Sequence, residues 1–213
     1  MNLAPLIDHT ILRPDATAGD VRRLCDEAIR FGFFSACVAG SRVAEAAAAV
    51  AGTPVKVCSV AGFPLGSEDS LAKAAEARRV VDLGADEVDM VANVGWIKEA
   101  RWDDLFDEIA RVRDACGDAA LKVIIECGLL DAREKRRAAA VVAEAGAAFV
   151  KTSTGFGHGG ATVEDVRLLA ATVGDRIGVK ASAGIRTRVQ AEALVAAGAT
   201  RLGTSAGIAI IEG

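Results

Sequence analysis

Short apolar runs alternate along this chain with stretches in which apolar residues recur every three or four positions. The runs predict strands at 6–11, 35–38, 55–60, 87–92, 121–126, 149–153, 177–181 and 201–204. The segment LKVII at 121–125 reads as a continuous apolar run, the pattern of a parallel strand covered on both faces. Between the runs, Leu71, Ala74, Ala77 and Val81 fall on one face of a helix, and the Ala-rich segment 43–51 reads as another. Thr187 followed by Gln190 predicts a capping box, and Gly198 a stop, giving a helix over 188–197. Asp131 and Glu134 offer a similar start for a helix that ends before Gly146.

Three segments align without gaps: DLGADEVDMV (82–91), EAGAAFVKTS (144–153) and AAGATRLGTS (196–205). In each, Gly-Ala closes a helix and a strand follows two residues later, so one helix-to-strand unit recurs along the chain. Eight βα units in this length predict an α/β fold of one domain over 1–213, a (β/α)8 TIM barrel. The alternative, an open doubly wound sheet, lacks its GxGxxG after the first strand.

In such a barrel the active groups sit at the C-terminal ends of strands, so polar residues at apolar strand positions are the ones to weigh. Asp89 in EVDMVAN, Lys151 in FVKTSTG and Lys180 in GVKAS each lie between neighbours expected to face the helices, which turns the charged residue into the barrel. One reading is an internal ion pair that holds the barrel together. The other is chemistry: two lysines against one carboxylate leave a positive charge unbalanced, and a second ammonium favours the neutral, nucleophilic form of an amine. That points to Schiff-base formation on a carbonyl substrate. It also requires Asp89 to pair more closely with Lys180 or water than with Lys151.

The late strands end in glycine-rich loops, KTSTGFGHGG (151–160), KASAGIRT (180–187) and GTSAG (203–207). Loops after strands seven and eight commonly bind phosphate in this fold, and the amides of Ala183, Gly184 and Ser205 are candidates; simple turn chemistry is the plainer reading. Asp8, His9 and Thr10 read either as a polar layer bonded to neighbouring strands or as substrate contacts. Cys37 reads as core, GFPLG at 62–66 as a tight loop that lines the mouth at most, and His158 as a solvent-facing loop residue.

Composition narrows the field. The chain has 213 residues, 52% hydrophobic, enough to bury a sizeable core. Its 25 basic and 29 acidic residues give a net charge of −4 with no basic block, and aromatics are only 4%, so no nucleic-acid partner is expected. No run approaches the roughly 18 apolar residues of a membrane span, and the opening MNLAPLIDHT does not resemble a secretory signal. Five scattered cysteines without CxxC, at 25, 37, 58, 116 and 127, suggest reduced thiols and a cytoplasmic protein. The two histidines and these cysteines form no cluster with zinc-ligand spacing, so neither a metal nor another cofactor is expected.

The segments LIDHTIL, SVAGFPLG, DEVDMVANVG, KVIIECGLL, KTSTGFG, GVKASAGIRT and RLGTSAG, in this order, resemble the bacterial deoxyribose-phosphate aldolase family from about Leu6 to Gly207. The resemblance implies a metal-independent class I aldolase, with 2-deoxy-D-ribose 5-phosphate giving acetaldehyde and D-glyceraldehyde 3-phosphate. It implies that Lys151 forms the Schiff base, that Asp89 moves protons with a water, and that Lys180 perturbs the nucleophile and joins that relay. It places phosphate contacts on Gly155, Ala183, Gly184, Gly203 and Ser205, and Thr10 at a substrate hydroxyl. A homodimer is a family-level expectation. The chain departs from the family where Ala183 stands for the first of two glycines, Ala206 for a second serine and Ala39-Gly40 for Asn-Pro, and it has no tyrosine for a C-terminal proton-transfer role. The Ala183 methyl either crowds the phosphate or demands an ordinary backbone angle. Rival readings are another class I aldolase of different substrate and a catalytically impaired barrel that binds a sugar phosphate.

Overall fold

The computed structural model describes every residue except His158. After a short 3-10 turn, β1 (Ile7–Ile11) leads through α1 (Ala18–Phe31) to β2 (Ser35–Val38), α2 (Val43–Val50) and β3 (Lys56–Ala61). Then come α3 (Ser70–Asp82), β4 (Glu87–Val91), α4 (Val94–Lys98), α5 (Trp102–Cys116) and β5 (Ala120–Ile124). The second half runs α6 (Ala132–Glu144), β6 (Phe149–Lys151), α7 (Val163–Val173), β7 (Gly178–Ser182), α8 (Arg188–Ala196), β8 (Arg201–Thr204) and α9 (Gly207–Glu212). The strands pair in parallel in sequence order, and β8 closes on β1. This is the eight-stranded (β/α)8 barrel expected from the alternation.

Alternation within each strand divides the structure into two buried regions. Val88 and Met90 of β4, Val150 of β6 and Val179 and Ala181 of β7 are buried in the core packed between barrel and helices. The residues between them point inward, where cross-strand register sets Asp89 beside Lys122 and Lys151 beside Lys180.

The repeated Gly-Ala unit does the same work three times. Gly84, Gly146 and Gly198 all have positive φ, at 107°, 80° and 114°. In each case the following alanine amide reaches back to close the helix: Ala85 to Val80, Ala147 to Val142 and Ala199 to Leu194. This is a left-handed C-terminal stop, which glycine adopts without a side-chain clash, and it delivers the chain directly to β4, β6 and β8. Both capping boxes are present, Thr17 with Asp20 opening α1 in addition to those read at Asp131 and Thr187.

Of the face predicted for α3, Ala77 is buried and Ala74 and Val81 pack against the core, but Leu71 does not join them. Leu71 is 63% exposed, and the buried residues are Lys73, Ala77 and Val80. A lysine on the inner face was invisible to an apolar count; its carboxylate partner, Glu108, comes from α5.

Candidate active site

Six strands supply a charged interior. Asp89 on β4 is fully buried, and its Oδ2 accepts from Lys151 Nζ and Lys180 Nζ, each at 2.7 Å. Its Oδ1 accepts from Lys122 Nζ at 2.8 Å and from the Cys58 thiol at 3.3 Å. Lys122 also pairs with Glu87 at 2.7 Å. Lys180 pairs with Asp8. Arg201 donates to Asp8 Oδ1 at 2.9 Å and Glu87 Oε2 at 2.8 Å, with its guanidinium 3.4 Å from the centroid of Phe34.

Opposite charges, working against burial, fix the charge states. On its own burial would push the Asp89 carboxyl up, but the ammoniums of Lys122, Lys151 and Lys180 outweigh it and hold the group well below its ordinary value. The same competition brings Asp8 down to about 2, through Lys180, Lys122 and Arg201. Burial would pull Lys180 and Lys122 down, yet their carboxylate partners, chiefly Asp8 and Asp89 for Lys180 and Asp89 for Lys122, raise both above the ordinary range. Lys180 is therefore a fixed cation beside Lys151.

Two expectations need correction. The requirement that Asp89 favour Lys180 over Lys151 is not met, because one oxygen serves both amines at the same distance. The charge set is also larger than two lysines against one carboxylate: Asp8, Glu87 and Asp89 face Lys122, Lys151, Lys180 and Arg201. One positive charge remains in excess, as expected, but within a network of seven residues. Lys122 was hidden by reading LKVII as uniformly apolar. The signal was available, since Leu121 and Val123 face the helices and alternation turns Lys122 inward with its register partner Asp89.

Above the network a cavity of about 360 Å³ opens at the C-terminal ends of the strands. Lys151 borders it, whereas Asp89, Lys122 and Lys180 lie beneath, fully or almost fully buried. Thr10 near the end of β1, Gly203 in β8, and Gly155, Ala183, Gly184 and Ser205 on the loops after β6, β7 and β8 all line this one cavity. The polar triplet of β1 divides three ways. Asp8 joins the ion network, taking a hydrogen bond from Ser35 at 2.7 Å; His9 turns outward to Glu27 at 2.8 Å; Thr10 reaches the cavity.

Ala183 settles one of the sequence's departures. Its φ is +76°, so the alanine keeps the left-handed angle that suits glycine instead of imposing an ordinary one. Its methyl would lie 3.5 Å from a Cβ built on Gly155, so it occupies space at the cavity wall. Cys37 is buried as expected for core. GFPLG forms a tight turn, Gly66 N donating to Gly62 O at 2.8 Å, and its Phe63 packs edge-on against Phe156. His158 lies outside the described residues.

Two trios, Cys37-Cys58-Asp89 and Asp8-Cys58-Glu87, bring potential metal-ligand atoms within 4.8 Å of one another. They do not suit a cation, because ammonium and guanidinium groups already bond the carboxylates and fill that space. Among the described residues no helix is long and apolar enough to cross a membrane.

Comparison with known proteins places this geometry. The model of the DeoC/LacD family of aldolases matches residues 3–213. The chain is 52% identical over 213 residues to a deoxyribose-phosphate aldolase of Geobacillus sp. (strain WCH70), covering all of this chain and 96% of that protein. It is 50% identical over the same length to a deoxyribose-phosphate aldolase of Staphylococcus carnosus (strain TM300), covering 97% of it. A solved deoxyribose-phosphate aldolase from Aeropyrum pernix superposes with a TM-score of 0.92 at 36% identity, over 99% of this chain and 89% of that one.

Proposed function

The chain belongs to the DeoC/LacD family of aldolases, and from that premise we propose how its residues perform the reversible cleavage of 2-deoxy-D-ribose 5-phosphate. The observation that carries the assignment is the position of Lys151: it borders the cavity while the other lysines of the network are sealed beneath it.

Lys151 Nζ attacks the C1 aldehyde of the open-chain sugar, and loss of water leaves an iminium. A proton leaves the C3 hydroxyl, the C2–C3 bond breaks, and its electron pair flows into the iminium to give an enamine. Glyceraldehyde 3-phosphate departs. Protonation at C2 and hydrolysis then release acetaldehyde and free the lysine. The iminium is the electron sink, so the steps need no metal. Lys180, fixed as a cation, shares Asp89 Oδ2 with Lys151 and is assigned a place in the proton relay. Asp89 accepts from both amines and is the carboxylate bonded to Lys151, so we assign it the proton transfers, with water as the carrier into the cavity.

The 5-phosphate goes to the far wall, where Gly155, Ala183, Gly184, Gly203 and Ser205 converge on the ends of β6, β7 and β8. Backbone amides of such loops suit an anion. Thr10, on β1 beside β8, is assigned to a sugar hydroxyl. Reduced, buried cysteines at all five positions fit work in the cytoplasm. The test compares 2-deoxyribose with and without its phosphate. The phosphorylated sugar is expected to have much the lower KM, and Ser205→Asp to weaken it selectively by placing a carboxylate at the anion. Equal weakening of both sugars would move the phosphate elsewhere.

A further inference from the structure

Glu126 stands out from the rest of the mouth. It follows β5 with φ +52°, a left-handed conformation uncommon for a side chain of its size, yet it is 5% exposed. Its carboxylate lies behind the loop that follows Lys151. Glu126 Oε2 accepts from both the amide of Thr154, at 3.2 Å, and the Thr154 hydroxyl, at 2.6 Å. The same hydroxyl accepts from the Phe156 amide at 3.1 Å. A Cβ at Gly157 would lie 3.0 Å from that carboxylate oxygen, so the loop is pressed directly onto Glu126.

The two amides flanking Gly155 are thus committed to this chain, one to the carboxylate and one to the hydroxyl it holds. Between them, Gly155 lines the cavity with φ +88°. We propose that Glu126 is a positioning residue for anion binding: it fixes Thr154 from behind, so that the turn presents the Gly155 amide to the phosphate. This inference rests on the reading of the cavity wall as the phosphate site.

The direction of the effect separates positioning from charge. A carboxylate near a dianion repels it, so removing that charge alone would tighten phosphate binding. Positioning predicts the reverse. Glu126→Ala is expected to raise KM for 2-deoxyribose 5-phosphate by about tenfold, the worth of roughly one well-made hydrogen bond, leaving kcat and the kinetics of unphosphorylated 2-deoxyribose unchanged. In Glu126→Gln the amide oxygen can take the place of Oε2 and accept both bonds, and KM should return most of the way to wild type. Thr154→Val keeps the carboxylate but removes the hydroxyl link, and should shift the substrate ratio in the same direction even if Glu126→Ala fails to fold. Loss of both substrates in parallel, or a KM for the phosphorylated sugar that stays or falls in Glu126→Ala, would overturn the proposal. So would an unmoved ratio in Thr154→Val. A wild-type enzyme with no preference for the phosphorylated sugar would sink the phosphate reading itself, and the inference with it; a preference left unchanged in both variants sinks only the inference.

Discussion

Lys73 and Lys151 are both buried beside a carboxylate, one in the helical wall and one in the barrel. Lys73 Nζ donates to Gly66 O at 2.6 Å, Val91 O at 2.9 Å and Glu108 Oε1 at 2.8 Å. Glu108 in turn takes the Asn93 amide at 3.0 Å through its other oxygen. An ammonium has three hydrogens, and here each has an acceptor. Lys151 instead shares a single carboxylate oxygen with Lys180 and borders a cavity. The first lysine is a clasp between α3, α5, the loop after β3 and the end of β4. The second is under-bonded, crowded by a fixed cation and open to a carbonyl compound. Burial of a lysine therefore says little about function; the saturation of its hydrogens and its access to a cavity distinguish the two.

The comparison breaks most readily at Asp89, which belongs to the barrel network alone and is the proposed base. Asp89→Asn keeps the shape and removes the base, and kcat/KM should fall by roughly 10²- to 10⁴-fold, the usual worth of general acid–base catalysis. Steady-state kinetics near wild-type values would remove Asp89 from the proton transfers. At the clasp the effect should appear in stability instead. Lys73→Met strands Glu108 in the wall and is expected to cost about 3–5 kcal/mol in denaturant unfolding, with kcat per folded molecule unchanged. The double change Lys73→Met with Glu108→Leu should recover most of that loss. A collapse of kcat in a stable Lys73→Met protein would show that the two lysines are not so different.

Acid sharpens the same contrast. The Asp8 carboxyl is lowered to about 2 from an ordinary 3.8, so its ionised form contributes stability that is fully present above about pH 4 and is lost as the pH falls toward 2. Asp8→Asn should therefore destabilise the barrel at neutral pH, and the gap from wild type should close on acidification through that window. A gap that stays constant down to pH 2 would mean that the Asp8 charge does not hold the interior. The smallest effect belongs to Ala183→Gly. Releasing an alanine from the left-handed region should stabilise the fold by about 1 kcal/mol in thermal or denaturant melts. It also removes the methyl from the cavity wall, so a lower KM for the phosphorylated sugar should accompany it.

Much of this was legible in the residues. Strands 35–38 and 201–204 match β2 and β8 to the residue, and the others differ by one or two positions at their ends, apart from the shared end of β1 and the shared starts of β4 and β6. The recurrent Gly-Ala stop is local chemistry, so sequence alone finds it. Asp89, Lys151 and Lys180 were visible because each interrupts an apolar strand. Lys122 interrupts one as well and was passed over when its run was read whole. Arg201 and Asp8 sit 193 positions apart and meet only because the barrel closes, a contact no local pattern announces. Lys73 falls on a helix where a lysine is ordinary, and only the packing of α3 on α5 turns it inward. Glu126, at a strand end, carries no mark of its left-handed backbone.

The central claim is that Lys151, and no other buried lysine, is the nucleophile. Borohydride added with acetaldehyde reduces any imine to a stable N-ethyl-lysine, which peptide mapping by mass spectrometry can locate. The adduct is expected on Lys151, with activity lost in step with its formation, and Lys151→Arg should abolish both, since a guanidinium stays protonated. An adduct on Lys122 or Lys180, or full activity after exhaustive reduction with the aldehyde, would contradict the account.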